Sequence, residues 1–75
     1  MMWKEEDNTI TKEFTFPDFA QALAFVNKIG ALAEQANHHP DIELGWGRVK
    51  ITLTTHSAGK VTVKDRELAT AIDAL

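Results

Sequence analysis

The chain has 75 residues, 44% of them hydrophobic and 25% charged, with a net charge of −3 and a pI near 5.5. That length fits one small domain, residues 1–75, whose core is modest enough that self-association is a common remedy. The acidic balance argues against the basic face that non-specific nucleic-acid binding needs, the lack of cysteine excludes disulfides and thiolate metal sites, and no apolar run approaches the roughly 18 residues of a membrane span.

The first seven residues, Met1 to Asp7, are charged and carry no apolar signal core, so the expected location is cytoplasmic. Residues 2–16 read as a β-hairpin. Ile10, Phe14 and Phe16 share one face, while Thr9, Thr11, Glu13 and Thr15 share the other. Lys12 interrupts the apolar face. Trp3 falls on the first, shorter strand, and Asp7-Asn8 is the expected turn, because both residues tolerate positive φ. Pro17 stops the strand and Asp18 is placed to cap a helix.

From Phe19 to Ala36 the apolar residues Ala22, Phe25, Val26, Ile29, Leu32, Ala33 and Ala36 recur at helical spacing. Gly30 lies inside this helix at a propensity cost of about 1 kcal/mol, which predicts close packing against another backbone. The helix should end at or just before His38-His39, because Pro40 disfavours helical geometry at the residue before it. Next, Ile42, Leu44 and Trp46 alternate with polar or glycine positions as one strand, and Gly45 and Gly47 mark a tight turn. Val49, Ile51 and Leu53 alternate as a second strand that runs to Thr55-His56. Thr62-Val63-Lys64-Asp65 has capping-box spacing and opens a helix with Leu68, Ala69, Ile72 and Leu75 on one face. The order β-β-α-β-β-α predicts an α+β fold, a four-stranded antiparallel sheet with two helices packed on one face.

The titratable chemistry concentrates in His38, His39 and His56. Three readings fit them: structural histidines at a polar helix end, a three-histidine zinc site, or acid/base work without metal. Adjacent side chains diverge, and no carboxylate sits at a metal-motif spacing, which weighs against zinc. No Ser-His-Asp order, phosphate loop or paired-carboxylate pattern competes. Glu34 lies four residues before His38, so its carboxylate reaches that imidazole or is simply solvated. Trp46 is a stacking platform or, more simply, a core aromatic. Asp65 satisfies helix-start donors or does more.

The spacing Glu34-x3-His38-His39-Pro40-x5-Trp46-x9-His56-x8-Asp65, with Phe14-Thr15-Phe16 before the long helix and Asp65-x-x-Leu68-Ala69 opening the last one, resembles the pterin-4a-carbinolamine dehydratases. That family is also known as the dimerisation cofactor of a hepatocyte nuclear transcription factor. The resemblance covers residues 3–75. It implies dehydration of 4a-hydroxytetrahydropterin to quinonoid dihydropterin in tetrahydrobiopterin recycling, with no metal and no cofactor. By that similarity His38 and His56 transfer protons and His39 holds the pterin. Glu34, Pro40, Trp46, Thr55 and Asp65 fall among the substrate-binding positions, with Thr55 giving the ligand a hydrogen bond and Asp65 orienting His56 or capping its helix.

The implied assembly is a homodimer or homotetramer through sheet edges and helices, and three imidazoles are expected around one cavity. The same fold also suits a non-catalytic module that binds a pterin or a protein. Lys60-Val61-Thr62 stands where many members have Gly-Leu-Thr. Lys60 suits a phosphate, hence a molybdopterin-type ligand as a further alternative.

Overall fold

The computed structural model describes residues 2–75. Met1, part of the charged start discussed above, lies outside them. Six elements follow in order: β1 (Lys4–Glu6), β2 (Thr9–Thr15), α1 (Phe19–Ala36), β3 (Asp41–Leu44), β4 (Arg48–Leu53) and α2 (Val63–Asp73). The strands form one antiparallel sheet in the order β1-β2-β4-β3. The expected α+β architecture is present. The hairpin turn falls on Asp7 and Asn8, both at positive φ (52° and 64°). Those residue types relieve the cost of that geometry, and a turn of this hand matches the twist of the flanking strands.

Register decides which face is buried. Ile10 pairs with Leu53, Phe14 with Val49, and Ile42 and Leu44 with Ile51 and Val49. Their side chains make one apolar face, and α1 and α2 both cover it. Ile10, Ala22, Ile29, Val49, Ile51, Leu53, Leu68, Ala69 and Ile72 form a single buried cluster. The opposite face carries Glu13, Lys50 and Glu43 side by side in register. Lys12, the polar residue that interrupts the apolar face of β2, sits opposite Ile51. Its side chain is largely buried, and its ammonium lies 5.0 Å from the Phe14 ring centroid and 2.7 Å from Asp73, so the charge is met where it is buried. Trp3 donates its indole N–H to the same Asp73 carboxylate at 3.0 Å, which ties β1 to the end of α2.

Three expectations are corrected here. Gly30 does not pack against a backbone: a Cβ there would meet nothing within 4 Å. The close approach belongs to Gly47 instead, where a Cβ would come 2.6 Å from the Phe16 carbonyl oxygen while the Phe16 N–H bonds to the Gly47 carbonyl at 2.8 Å. Trp46 is neither a strand residue nor a core aromatic. β3 ends at Leu44, and Trp46 projects from the turn, 70% exposed. The turn needed at Gly45 and Gly47 lifts Trp46 out of the alternation that would have buried it. Leu75 lies past the end of α2 and is exposed, so the buried stripe of that helix is Leu68, Ala69 and Ile72.

Candidate active site

The site is built from two helix ends. Asp18 caps the start of α1, accepting from the Gln21 N–H at 2.8 Å, and the helix runs unbroken to Ala36. Its far end closes on Asn37 in the left-handed conformation (φ 52°, ψ 43°). The Asn37 N–H bonds to the Glu34 carbonyl and the His38 N–H to the Ala33 carbonyl, at 3.2 and 3.1 Å. This pair of bonds satisfies carbonyls that a helix end otherwise leaves open, and Asn is the usual substitute for Gly at such a position. Beyond it, Pro40 holds the chain extended into β3. Two sharp constraints around a two-residue segment send its side chains to different places.

His38 turns inward. Its Nε2 lies 2.6 Å from Oδ1 of Asp65, the third residue of α2. Asp65 is fully buried. Its other oxygen, Oδ2, accepts from the Thr62 N–H at 2.9 Å, which closes the capping box, and from the Thr55 hydroxyl at 2.7 Å. Burial by itself would raise the Asp65 carboxyl. The hydrogen bonds from His38, the Thr62 N–H and Thr55, together with the charge of His38, outweigh it and hold the carboxyl below its ordinary value. An ionised carboxylate only accepts, so the Nε2 that faces it carries a proton, and in the neutral imidazole the acceptor nitrogen is Nδ1. The start of a helix is also a favourable place for that negative charge.

His39 turns outward. Its Nε2 pairs with the Glu34 carboxylate, and both side chains are mostly exposed. This corrects the expectation that Glu34 partners His38. The left-handed turn at Asn37 breaks the helical spacing, so it is the fifth residue on, not the fourth, that swings back over the last turn. Asp65 likewise serves His38 rather than His56. Thr55 is buried and spends its hydroxyl inside the protein, on Asp65 and on the Thr62 hydroxyl at 2.7 Å.

His56 is exposed and begins the turn after Thr55. It touches neither other histidine through any hydrogen bond, yet its neighbour Thr55 is bonded to the carboxylate that holds His38. Asp65 thus links His38 to Thr55, the residue before His56, while His39 bonds to Glu34 instead. Trp46 is not brought there, since the extended stretch from Pro40 to Trp46 spans roughly 20 Å at strand rise. Among the described residues no three His, Asp or Glu side chains converge as a metal ion would require.

A cleft of about 410 Å³ opens between the end of α1 and α2. Its apolar walls include Leu32, Leu68 and Ala71, and its polar groups include His38, Lys64 and Glu67. Neither His39 nor His56 lines it. The volume is in the range of small-molecule pockets. Lys64 and Glu67 belong to no motif in the sequence. Their position one turn apart at the start of α2, beside a buried Asp65, was the signal available.

Fold and site together define a class: a small α+β protein in which a buried carboxylate holds one imidazole beside a ligand-sized cleft. The sequence profile described as pterin 4 alpha carbinolamine dehydratase matches residues 1–75. A provisionally named pterin-4-alpha-carbinolamine dehydratase of Roseiflexus sp. (strain RS-1) is 51% identical over 71 residues, 95% of this chain and 76% of that relative. The crystal structure of a transcriptional coactivator/pterin dehydratase from Brucella melitensis superposes with a TM-score of 0.91 at 36% identity, covering 96% of this chain and 79% of that one. A pterin dehydratase-like protein identified as a RuBisCO assembly factor in the alpha-carboxysome superposes with a TM-score of 0.79 at 30% identity, over 97% of this chain and 84% of that one. The chain belongs to the pterin-4a-carbinolamine dehydratase family.

Proposed function

We propose that the protein dehydrates 4a-hydroxytetrahydropterin to quinonoid dihydropterin, serving tetrahydrobiopterin recycling in the cytoplasm. The reaction needs one acid and one base. The acid protonates the C4a hydroxyl, which leaves as water. The base takes the proton of the adjacent ring nitrogen, and that N–H electron pair becomes the new carbon–nitrogen double bond. The observation that supports this reading is His38: its Nε2 is held by buried Asp65, and the residue lines the cleft. His38 and His56 are assigned the two proton transfers. His39 and Glu34, an exposed pair at the end of α1, are assigned to holding the pterin, with Pro40 fixing the chain after them. Positioned acid/base groups contribute on the order of 10²- to 10⁴-fold.

Stopped-flow dehydration of the 4a-hydroxypterin tests the proposal. The expected result is acceleration by the wild type, lost by about that factor in His38→Ala and His56→Ala. A folded wild type that gives no acceleration rejects it. The assembly proposed with this activity is a homodimer or homotetramer through the exposed strand edges and helices. Light scattering that gives a monomer mass at micromolar concentration rejects that part.

A second reading draws on the RuBisCO assembly factor of similar fold: a non-catalytic module that binds a pterin or a protein partner. Pterin binding that survives His56→Ala, without turnover by any variant, favours it.

A further inference from the structure

The two hydroxyls behind His38, Thr55 buried and Thr62 half-buried, have a fixed direction. Asp65 is ionised, so it donates to nothing, and the one proton of Thr55 Oγ1 must point at Asp65 Oδ2, 2.7 Å away. The contact between Thr55 Oγ1 and Thr62 Oγ1, also 2.7 Å, then has only one donor left to it, the Thr62 hydroxyl. Thr62 is free to donate because its own oxygen accepts from the Lys64 N–H at 3.3 Å. The chain of protons thus runs from Thr62 to Thr55 to Asp65, with the His38 proton arriving at the other carboxylate oxygen. Oδ2 is filled by two donors, the Thr55 hydroxyl and the Thr62 N–H. The carboxylate plane is therefore fixed with Oδ1 toward the imidazole. Aligned hydrogen bonds in a site of low local dielectric polarise one another.

We infer that Thr55 is a positioning residue whose hydroxyl, oriented by Thr62, holds Asp65 as the acceptor that keeps the His38 proton on Nε2. This rests on the reading that His38 works through Nδ1. It differs from the role expected of Thr55 as a direct hydrogen-bond donor to a ligand. Thr55 never meets the ligand. It sets the tautomer of a residue that does.

The test is Thr55→Val, which keeps the β-branched shape of a buried residue and removes only the hydroxyl. Thr55→Ser is the rescue. Thr62→Gly removes the orienting hydroxyl while leaving a residue that caps a helix almost as well as Thr. Thr54→Val is the control for a merely structural loss: Thr54 spends its hydroxyl on the Asn8 carbonyl at 2.8 Å, outside the chain of protons. Nitrogen-15 shifts of the His38 ring, read on full-length folded protein, report which nitrogen carries the proton. The wild type, Thr55→Ser and Thr54→Val are expected to show His38 protonated on Nε2. Thr55→Val is expected to show a mixture of the two tautomers, and Thr62→Gly a smaller shift in the same direction.

In the dehydration assay Thr55→Val should lose roughly 10- to 100-fold in kcat, the scale of outer hydrogen bonds around a working histidine, with KM changed by less than about twofold. A His38 tautomer unchanged in folded Thr55→Val overturns the inference whether or not the protein turns over a pterin. If the tautomer shifts as expected but the wild type shows no turnover, the positioning role stands and the proposed activity falls.

Discussion

His38 and His39 are adjacent in the chain and each faces a carboxylate, but the two pairs are physically different. The His38 side chain is 13% exposed and its partner Asp65 is 0% exposed. For His39 and Glu34 the values are 56% and 78%. The inner pair is largely shielded from water, so the second oxygen of Asp65 depends on protein donors, and it has two, the Thr55 hydroxyl and the Thr62 N–H. The outer pair is bathed in solvent, which screens it and leaves both side chains free to move. The same two residue types therefore give a fixed imidazole in one case and an adaptable one in the other. That contrast suits a base that must keep one orientation beside a neighbour that adjusts to a ligand.

The largest effect expected from breaking this contrast is Asp65→Ala. It removes the acceptor of His38 and the side-chain half of the α2 capping box, and it leaves the Thr55 hydroxyl without its acceptor. Chemical denaturation should show a loss of about 3–5 kcal/mol, the cost of removing one partner of a buried pair. A loss below about 1 kcal/mol would mean that the buried network is no stronger than a surface pair.

The next effect is acid sensitivity. The Asp65 carboxyl is held below its unfolded value, so the unfolded chain binds its proton first as the pH falls. Its contribution is complete above the ordinary aspartate value of about 3.9 and is lost as the pH drops through the lower folded value. Urea midpoints measured from neutral pH into this acid range should fall more steeply for the wild type than for Asp65→Asn. Parallel curves would show that other carboxylates account for the acid limb.

The smallest effect is in the outer pair. A double-mutant cycle on Glu34→Gln and His39→Ala should give a coupling of about 0.2–1 kcal/mol that shrinks at high salt. A coupling above about 2 kcal/mol, insensitive to salt, would make the two pairs alike and remove the contrast.

Much of this was readable from local chemistry. The hairpin turn at Asp7-Asn8, the Asp18 cap, the limits of α1 and the Thr62–Asp65 capping box follow from residues within four positions of one another, and each is where the sequence placed it. The alternation of Val49, Ile51 and Leu53 identified the buried face of β4. The elements that carry His38, Thr55 and Asp65 were legible too, and the fold brings these three residues together.

The partners were not legible. Ideal helical spacing matches Glu34 to His38, but one left-handed residue at Asn37 resets that geometry. Trp46 was read from a strand period that the turn between Gly45 and Gly47 interrupts. Gly30 was read as a close contact because a glycine costs helix stability, yet the close contact in the fold is at Gly47.

The sequence by itself determined which segments are helix or strand and which faces are apolar, because periodicity and turn chemistry act over a few residues. Only the tertiary structure decided that Asp65 holds His38, that Thr55 points inward and that Trp46 stands in solvent. Those outcomes depend on the directions in which two distant helix ends and a strand end approach one another, and a hydrogen bond formed across such an approach leaves no spacing of its own in the chain.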